Sequence, residues 1–83
     1  MFHTYVLYSE KFDRIYIGQT QNYKKRILKH NSGSVKSTKS FVPWKITHVE
    51  SFTSRGEALK REQQLKSHAG RDCIRREVLL QNV

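Results

Sequence analysis

Five polar side chains in this 83-residue sequence have the types that phosphate chemistry uses. A phenol or an imidazole can move a proton, a guanidinium can bind a phosphate through two parallel hydrogen bonds, and a carboxylate can hold Mg²⁺. The five are Tyr5, Tyr16, Arg26, His30 and Glu62. The elements that carry them must bring them together for this chemistry to occur.

The sequence predicts the element order ββαβαα in a single domain spanning residues 1–83. Two β-branched and aromatic segments separated by the loop EKFD predict a hairpin, and Asn22 followed by YKKRILKH predicts a capped helix. We therefore expect an α+β fold with a three-stranded antiparallel sheet flanked by three helices. Strands are predicted over 4–9, 14–19 and 44–52, helices over 23–30, 53–67 and 71–81, a loop over 31–43 and a break at 68–70.

The hairpin register decides whether the two tyrosines meet. If Ser9 pairs with Arg14 across the loop, Tyr5 faces Gly18, and Tyr5 and Tyr16 share one face about 7–8 Å apart. Gly18 is then expected to leave open space beside the Tyr5 ring. Two tyrosines in this arrangement also suit an ordinary sheet surface or core.

Arg26 and His30 are spaced i, i+4, so both project from one side of the first helix. The helix follows the hairpin closely, which favours a site where Arg26 binds a phosphate. A solvated cationic stripe that includes Lys25 and Lys29 explains the same spacing equally well.

Glu62 falls between Ala58 and Leu65 on the apolar face of the predicted second helix. A carboxylate in that position needs a partner that offsets its desolvation. A metal ion such as Mg²⁺ would serve, and so would an internal ion pair with a basic residue.

The charge distribution favours nucleic acid as the partner. Sixteen Lys and Arg against seven acids give a net charge of +9, and no acid lies between Asp13 and Glu50. Such a field attracts polyanions, although a generally solvated basic surface is the alternative. The lysines expected to contact backbone phosphates are Lys24, Lys25, Lys29, Lys36, Lys39 and Lys45.

Other function classes receive little support. Cys73 is the single cysteine, so no internal disulfide can form, and the four histidines lack zinc-ligand spacing. No segment has the form of a signal peptide or a membrane span, so a cytoplasmic setting is expected. Trp44 could stack on a base, but beside Pro43 at the start of a strand it is more typical of a core residue.

Taken together, these residues resemble the GIY-YIG endonuclease family. The second half of the motif stands intact as Tyr16-Ile17-Gly18, whereas His3-Thr4-Tyr5 keeps only the tyrosine of the first half. Arg26, His30 and Glu62 follow at the positions of the family's arginine, histidine and metal-binding glutamate. The resemblance runs from about Thr4 to Arg76 and is greatest to the small stand-alone branch, related to the nuclease domain of the bacterial excision-repair incision protein.

The resemblance implies metal-dependent hydrolysis of phosphodiester bonds in DNA. In that scheme Glu62 holds Mg²⁺ or Mn²⁺, Arg26 binds the scissile phosphate, and one tyrosine takes a proton from the attacking water. Tyr5 is favoured as the base because of the space expected beside it, while His30 could instead activate a tyrosine or protonate the leaving group. The absence of a second DNA-reading module in the sequence favours structure-selective, single-strand or weakly sequence-specific cutting. The resemblance to the excision-repair protein implies a role in DNA repair, and the oligomeric state is left open between a monomer and a weak dimer.

A catalytically weak or inactive nucleic-acid-binding module on the same fold is the alternative. Many family members carry an asparagine after the glutamate, whereas residues 72–77 here read DCIRRE. RNA as the substrate is a further alternative.

Overall fold

The computed structural model describes residues 1–79 and contains a three-stranded antiparallel sheet with the strand order β2-β1-β3. The strands are β1 (Phe2–Ser9), β2 (Arg14–Thr20) and β3 (Lys45–Phe52). Ser9 pairs with Arg14, and Tyr5 pairs with Gly18. The predicted hairpin register is therefore confirmed, and Tyr5 and Tyr16 share one face.

β3 departs from the simple alternation that its sequence suggests. Its register against β1 shifts between Val6 and Leu7, so Ile46 pairs with Leu7 whereas His48 pairs with Val6. Because an extra residue in a strand reverses the faces beyond it, Val49 rather than His48 packs in the same apolar cluster as Ile46. The alternation of residues 44–49 by itself would predict that His48 shares a face with Ile46, and the register shift is why it does not.

Helix α1 (Tyr23–Asn31) begins where the sequence predicts and ends one residue later. The Asn22 side chain accepts a hydrogen bond from the backbone N–H of Lys25 at 3.1 Å, which satisfies one of the free donors at the helix start. Gly33 follows the helix with φ of +81°, a left-handed conformation that glycine adopts without a steric penalty.

The predicted loop between α1 and β3 contains one 3₁₀ turn, Lys39–Phe41. Asn31 ties the two ends of the loop together, because its Nδ2 donates to the Trp44 carbonyl and its Oδ1 accepts from the Trp44 N–H. The Trp44 indole is buried and donates to the Thr38 carbonyl at 3.0 Å. Trp44 is thus a core residue.

Helices α2 (Arg55–Lys66) and α3 (His68–Cys73) are separated at Ser67, and a π-helical segment, Ile74–Leu79, continues α3. The predicted break at 68–70 is wrong, because these residues form the first turn of α3. Ser67 makes the break itself: its extended backbone ends α2, and its hydroxyl accepts from the Gly70 N–H at 3.1 Å. A Cβ at Gly70 would lie 2.7 Å from Leu65 Cα, so glycine permits the close contact between the two helices. Residues 80 and 81 of the predicted last helix lie outside the described residues.

The sheet separates two apolar clusters. On one face, Val6 and Ile17 pack with Leu65 of α2 and Ile74. On the other face, a cluster that includes Tyr5 and Leu7 packs with α1 and the α1–β3 loop. The predicted site residues on the hairpin and on α1 therefore share the second face.

Candidate active site

Tyr5 lies in the middle of β1, with its ring directly above Gly18 of β2. A Cβ at position 18 would lie 2.5 Å from the Tyr5 hydroxyl oxygen and 2.7 Å from Cζ, so any larger residue would collide with the ring. The Tyr5 ring therefore fills the space that the sequence suggested would be open, and only 2% of the residue is exposed. Gly18 serves to admit the ring rather than to leave a gap beside it.

His30, in the last turn of α1, connects Tyr5 to the α1–β3 loop. Its Nε2 lies 3.2 Å from the Tyr5 hydroxyl and its Nδ1 lies 2.9 Å from Thr38 Oγ1. All three residues are buried. Both imidazole nitrogens therefore have a partner, and the ring orientation is fixed by hydrogen bonds at each end.

Tyr16 completes an aromatic group with these two residues. Its ring centroid lies 4.8 Å from that of His30 and 6.3 Å from that of Tyr5. Unlike Tyr5, Tyr16 is only partly buried. Solvent and substrate therefore reach Tyr16 more easily than Tyr5.

Arg26 lies one turn before His30, and the two phenols contribute to the raised pKa of its guanidinium. Burial raises the pKa of Tyr5, and the Arg26 guanidinium only partly opposes this effect. Burial also lowers the pKa of His30, and the positive charges of Arg26 and Lys29 lower it further. At neutral pH the site therefore contains a protonated phenol beside a neutral imidazole.

Glu62 lies on the face of α2 between the buried residues Ala58 and Leu65, as the sequence predicts. Its side chain is 17% exposed, and its Oε1 lies 3.5 Å from Lys66 Nζ. Burial is the main cause of the raised pKa of Tyr5, and the negative charge of Glu62 is the smallest of its contributors. The ion pair with Lys66, expected as the alternative to a metal, is present.

A basic pocket of about 460 Å³ adjoins the site, lined by Thr20, Asn22, Lys25, Arg26 and Lys29. Arg26 belongs to both the pocket and the tyrosine–histidine group, so the two are continuous. The other predicted lysines, Lys24, Lys36, Lys39 and Lys45, are exposed outside this pocket. Lys45 lies 3.7 Å from Glu10, an ion pair between two exposed groups.

The structure thus gathers Tyr5, Tyr16, Arg26 and His30 into one group, whereas Glu62 of α2 is linked to it only through the small effect of its charge on Tyr5. Sequence reasoning missed Thr38, which holds His30 at Nδ1. A threonine in a Ser/Lys-rich loop without periodicity carries no signal of this role, although the nearby Trp44 indicated that the loop folds onto a core.

Comparison with known proteins identifies the family of the chain. Residues 1–75 match the family model described as the GIY-YIG catalytic domain. A UPF0213 protein of Syntrophus aciditrophicus is 45% identical over 65 residues, which cover 75% of each chain. A UPF0213 protein of Halobacterium salinarum is 36% identical over 67 residues, covering 80% of this chain and 86% of the relative.

A solved structure shows the same fold. The solution NMR structure of a UPF0213 protein of Bacillus halodurans superposes with a TM-score of 0.53 and 28% sequence identity, covering 89% of this chain and 82% of the other. The fold and the family match define a GIY-YIG catalytic domain, which places the chain in a nuclease superfamily that acts on nucleic acid. The chain belongs to the GIY-YIG family, among the small UPF0213 proteins.

Two further findings bear on its setting. None of the helices within residues 1–79 is long and apolar enough to cross a membrane. Among the same residues, no group of three or more His, Cys, Asp or Glu side chains is placed to hold a metal ion. Any metal site built from the described residues would therefore have at most two such side chains and would take its other ligands from water or substrate oxygens.

Proposed function

We propose that this protein is a metal-dependent endonuclease that hydrolyses phosphodiester bonds in DNA, with structure-selective or low sequence specificity. The observation that carries the proposal is the buried hydrogen-bonded series from Tyr5 through His30 to Thr38, with Arg26 beside it. A phenol, an imidazole and a hydroxyl joined by hydrogen bonds can relay a proton, a property that an apolar core does not need.

The hydrogen bonds of Thr38 favour one tautomer of His30. Thr38 Oγ1 also lies within 3.5 Å of the Val35 carbonyl, which can only accept. If the Thr38 proton points to that carbonyl, the His30 Nδ1–H donates to Thr38 Oγ1, and Nε2 is left to accept from the Tyr5 hydroxyl. We assign this tautomer because it gives every group in the series a partner.

The series gives Tyr5 a route to act as a base. A free phenolate is costly at neutral pH, because the ordinary phenol pKa is about 10 and each pKa unit is worth about 1.36 kcal/mol. Burial raises the pKa of Tyr5 further. Transfer of the Tyr5 proton to His30 Nε2, as the attacking water gives its proton to the Tyr5 oxygen, avoids a free phenolate. The water oxygen then bonds to phosphorus as the bond from phosphorus to the 3′-oxygen breaks. The leaving 3′-oxygen takes a proton from solvent water, and His30 returns its proton to solvent through the Tyr5 hydroxyl when the product leaves.

Arg26 and Tyr16 position the reacting phosphate. The guanidinium can make two parallel hydrogen bonds to phosphate oxygens and stabilise the charge that grows on them. Tyr16, which solvent reaches, is placed to orient the water or the phosphate.

Glu62 is the residue proposed to hold Mg²⁺ or Mn²⁺. Magnesium commonly binds through one or two carboxylates and keeps several waters, so a single carboxylate near the phosphate suits it. When bound, the metal would stabilise negative charge on the leaving 3′-oxygen and on a phosphate oxygen. Glu62 must exchange its contact with Lys66 for the ion, and the exposed lysine can move away at little cost.

The nucleic acid is proposed to run along the basic pocket of α1. Lys25 and Lys29 line this pocket with Arg26 and would contact phosphates on either side of the scissile one. Lys24, Lys36, Lys39 and Lys45 would add charge that attracts the polyanion without fixing its position.

A nucleic-acid-binding module without activity is the second candidate. The Glu62–Lys66 ion pair favours it, because it gives the carboxylate a structural partner within its own helix.

Cleavage of labelled single-stranded, duplex and flapped DNA, and of a single-stranded RNA, tests the proposal in Mg²⁺, Mn²⁺ or EDTA. We expect cutting of DNA that requires the metal and is lost in Glu62→Gln, a variant that keeps the side-chain shape. Glu57→Gln, an exposed acid in the first turn of the same helix, is the matched control and should cut like the wild type. Binding without cutting, identical in wild type and Glu62→Gln, would support the binding module instead.

The cellular role belongs to the same proposal. A role in DNA repair would follow from structure-selective cutting. A single cysteine, which cannot form an internal disulfide, suits a cytoplasmic protein, and we propose a monomer or weak dimer as the active form.

A further inference from the structure

The hairpin loop between β1 and β2 carries an exposed aromatic residue that the proposed reaction does not use. Phe12 is 42% exposed, and its ring meets that of Phe41 edge to face at 5.5 Å. Single exposed apolar residues are common on protein surfaces and need no explanation. This pair differs because cations accompany both rings.

Lys11 and Arg14 supply those cations. Lys11 Nζ lies 5.6 Å from the centroid of Phe12, and Arg14 Cζ lies 4.8 Å from that of Phe41. Both distances are within the range of cation–π attraction, about 6 Å. An exposed ring flanked by basic side chains is how proteins hold unpaired bases, with stacking on the ring and phosphate contacts to the cations.

The loop is held in place by contacts on both sides. The Ser9 hydroxyl donates to the Phe41 carbonyl at 2.6 Å. Asp13 accepts from the Tyr8 hydroxyl at 2.8 Å and from Arg75 at 2.8 Å. Because Arg75 offsets the charge of Asp13, this acid does not cancel the basic side chains beside the rings. A ring fixed before binding loses little conformational freedom when a base stacks on it.

A series of aromatic rings joins this loop to the candidate active site. Tyr16 lies 6.3 Å from Trp44, Trp44 lies 6.4 Å from Phe41, and Phe41 lies 5.5 Å from Phe12. Three ring-to-ring steps therefore separate a phenol of the site from the exposed ring. A strand whose phosphate lies at Arg26 can place a base a few nucleotides away on Phe12.

We propose that Phe12 and Phe41, flanked by Lys11 and Arg14, form a stacking site for an unpaired base of the substrate strand. A paired base has its faces covered by its neighbours, so the site would favour single-stranded over duplex nucleic acid. Lys11 would leave the ring face when a base stacks there and would pair with the adjacent phosphate. This inference rests on the proposed function, since it specifies the strand state of the same substrate.

Equilibrium binding in EDTA tests the site without cleavage, using fluorescein-labelled single-stranded DNA, single-stranded RNA and a blunt duplex of the same sequence. Loss of one stacked base costs about 1–3 kcal/mol, so Phe12→Ala should weaken single-strand binding about tenfold, and duplex binding by less than about twofold. Phe12→Tyr keeps the ring and should bind like the wild type. Leu28→Ala, which removes a 71% exposed apolar residue from α1, is the control for lost surface and should also bind normally.

A base analogue whose fluorescence is quenched by stacking, 2-aminopurine, gives a second measurement. Scanned along the single strand, it should be quenched at one position in the wild type and in Leu28→Ala, but not in Phe12→Ala. Equal losses for single strand and duplex, or single-strand affinity of Phe12→Ala within about twofold of the wild type, would overturn the stacking site. A wild-type protein that binds neither single-stranded DNA nor single-stranded RNA would also overturn it.

The two proposals fail separately. Single-strand binding that depends on Phe12, without cutting in any metal, would leave the stacking site standing and refute the nuclease. Metal-dependent cutting, together with single-strand binding that is unchanged in Phe12→Ala, would support the nuclease and refute the stacking site.

Discussion

The Tyr5 hydroxyl lies 3.2 Å from His30 Nε2, and neither residue has appreciable exposed surface. This contact joins the first strand to the end of the first helix through two polar atoms in an otherwise apolar cluster. Burial raises the pKa of the Tyr5 phenol and lowers the pKa of the His30 imidazole. Both shifts favour the neutral pair.

The buried imidazole of His30 should make the free energy of unfolding depend on pH. The pKa of His30 in the folded protein lies below its ordinary value of 6.5, so between the two values the unfolded chain binds more protons. The contribution of His30 to stability should therefore be constant above about pH 6.5 and be lost as the pH falls from there through the folded pKa. Urea unfolding at a series of pH values from about 7.5 to 5 measures this slope.

His30→Gln should reduce that slope, because glutamine does not titrate. The other histidines are present in both proteins, and the lowered pKa values of Asp13 and Glu50 place their titration at more acidic pH. The difference between the two pH profiles therefore isolates His30. If the wild type and His30→Gln lose stability equally as the pH falls, the pKa of His30 is not lowered by folding.

The two tyrosines should respond unequally to loss of their hydroxyl groups. Tyr5→Phe removes the proposed base and leaves His30 Nε2 without its partner, so cleavage should fall about 10²–10⁴-fold. Stability should fall by about 1–3 kcal/mol, as for a buried acceptor that loses its donor. Tyr16→Phe should cost about tenfold in cleavage, roughly one hydrogen bond. Single-turnover cleavage with saturating protein compares them, and a larger loss for Tyr16→Phe would make Tyr16 the base.

Much of this site follows from local sequence rules. The EKFD loop sets the hairpin register, and the register alone puts Tyr5 opposite Gly18. Asn22 and Gly33 set the ends of α1, and the helical period then places Arg26 and His30 on one side. These features depend on residues close together in the chain, which is why the sequence reveals them.

The features that escaped prediction depend on distant contacts. Thr38 reaches His30 only because the α1–β3 loop folds over Trp44. The reversal of faces in β3 comes from its register against β1, which its own sequence does not show. The space above Gly18 is filled because the Tyr5 ring extends over the neighbouring strand. The strand register does not determine the direction in which a side chain points along the sheet, so the sequence could not predict this contact.

Gly18→Ala should be destabilising because its Cβ would fall 2.5 Å from the Tyr5 hydroxyl oxygen. The buried ring must move, at a cost of about 1–3 kcal/mol, and its contact with His30 should weaken. Gly56→Ala is the matched control: no atom lies within 4 Å of its added Cβ, and alanine should stabilise α2 by about 0.4–1 kcal/mol. Thermal unfolding compares the two variants, and the expectation fails if Gly18→Ala is as stable as the wild type.

Glu62 and Lys66 should differ in their importance although they form one ion pair. If Glu62 holds the metal, Glu62→Gln should lower Mg²⁺-dependent cleavage by at least about 10²-fold, because metal stabilisation is worth several kcal/mol. Lys66→Gln breaks the same ion pair and should retain most activity. Each change should alter stability by no more than about 1 kcal/mol, since the lysine is half exposed. Equal losses of cleavage in both variants would show that the ion pair, and not the metal, is what Glu62 supplies.

Lys25 and Lys29 should contribute to affinity through phosphate contacts and little else. Each lysine that contacts a phosphate adds about 0.7–0.9 to the slope of log affinity against log salt concentration. Lys25→Ala and Lys29→Ala should each lower that slope by about this amount, for single-stranded and duplex DNA of any sequence. Lys60→Ala removes an exposed lysine from α2, away from the pocket of α1, and should leave the slope unchanged. Titrations in EDTA at several salt concentrations give the slopes. If Lys60→Ala lowers the slope as much as the α1 variants do, the nucleic acid is held by the general positive charge of the protein and the pocket has no special part in binding.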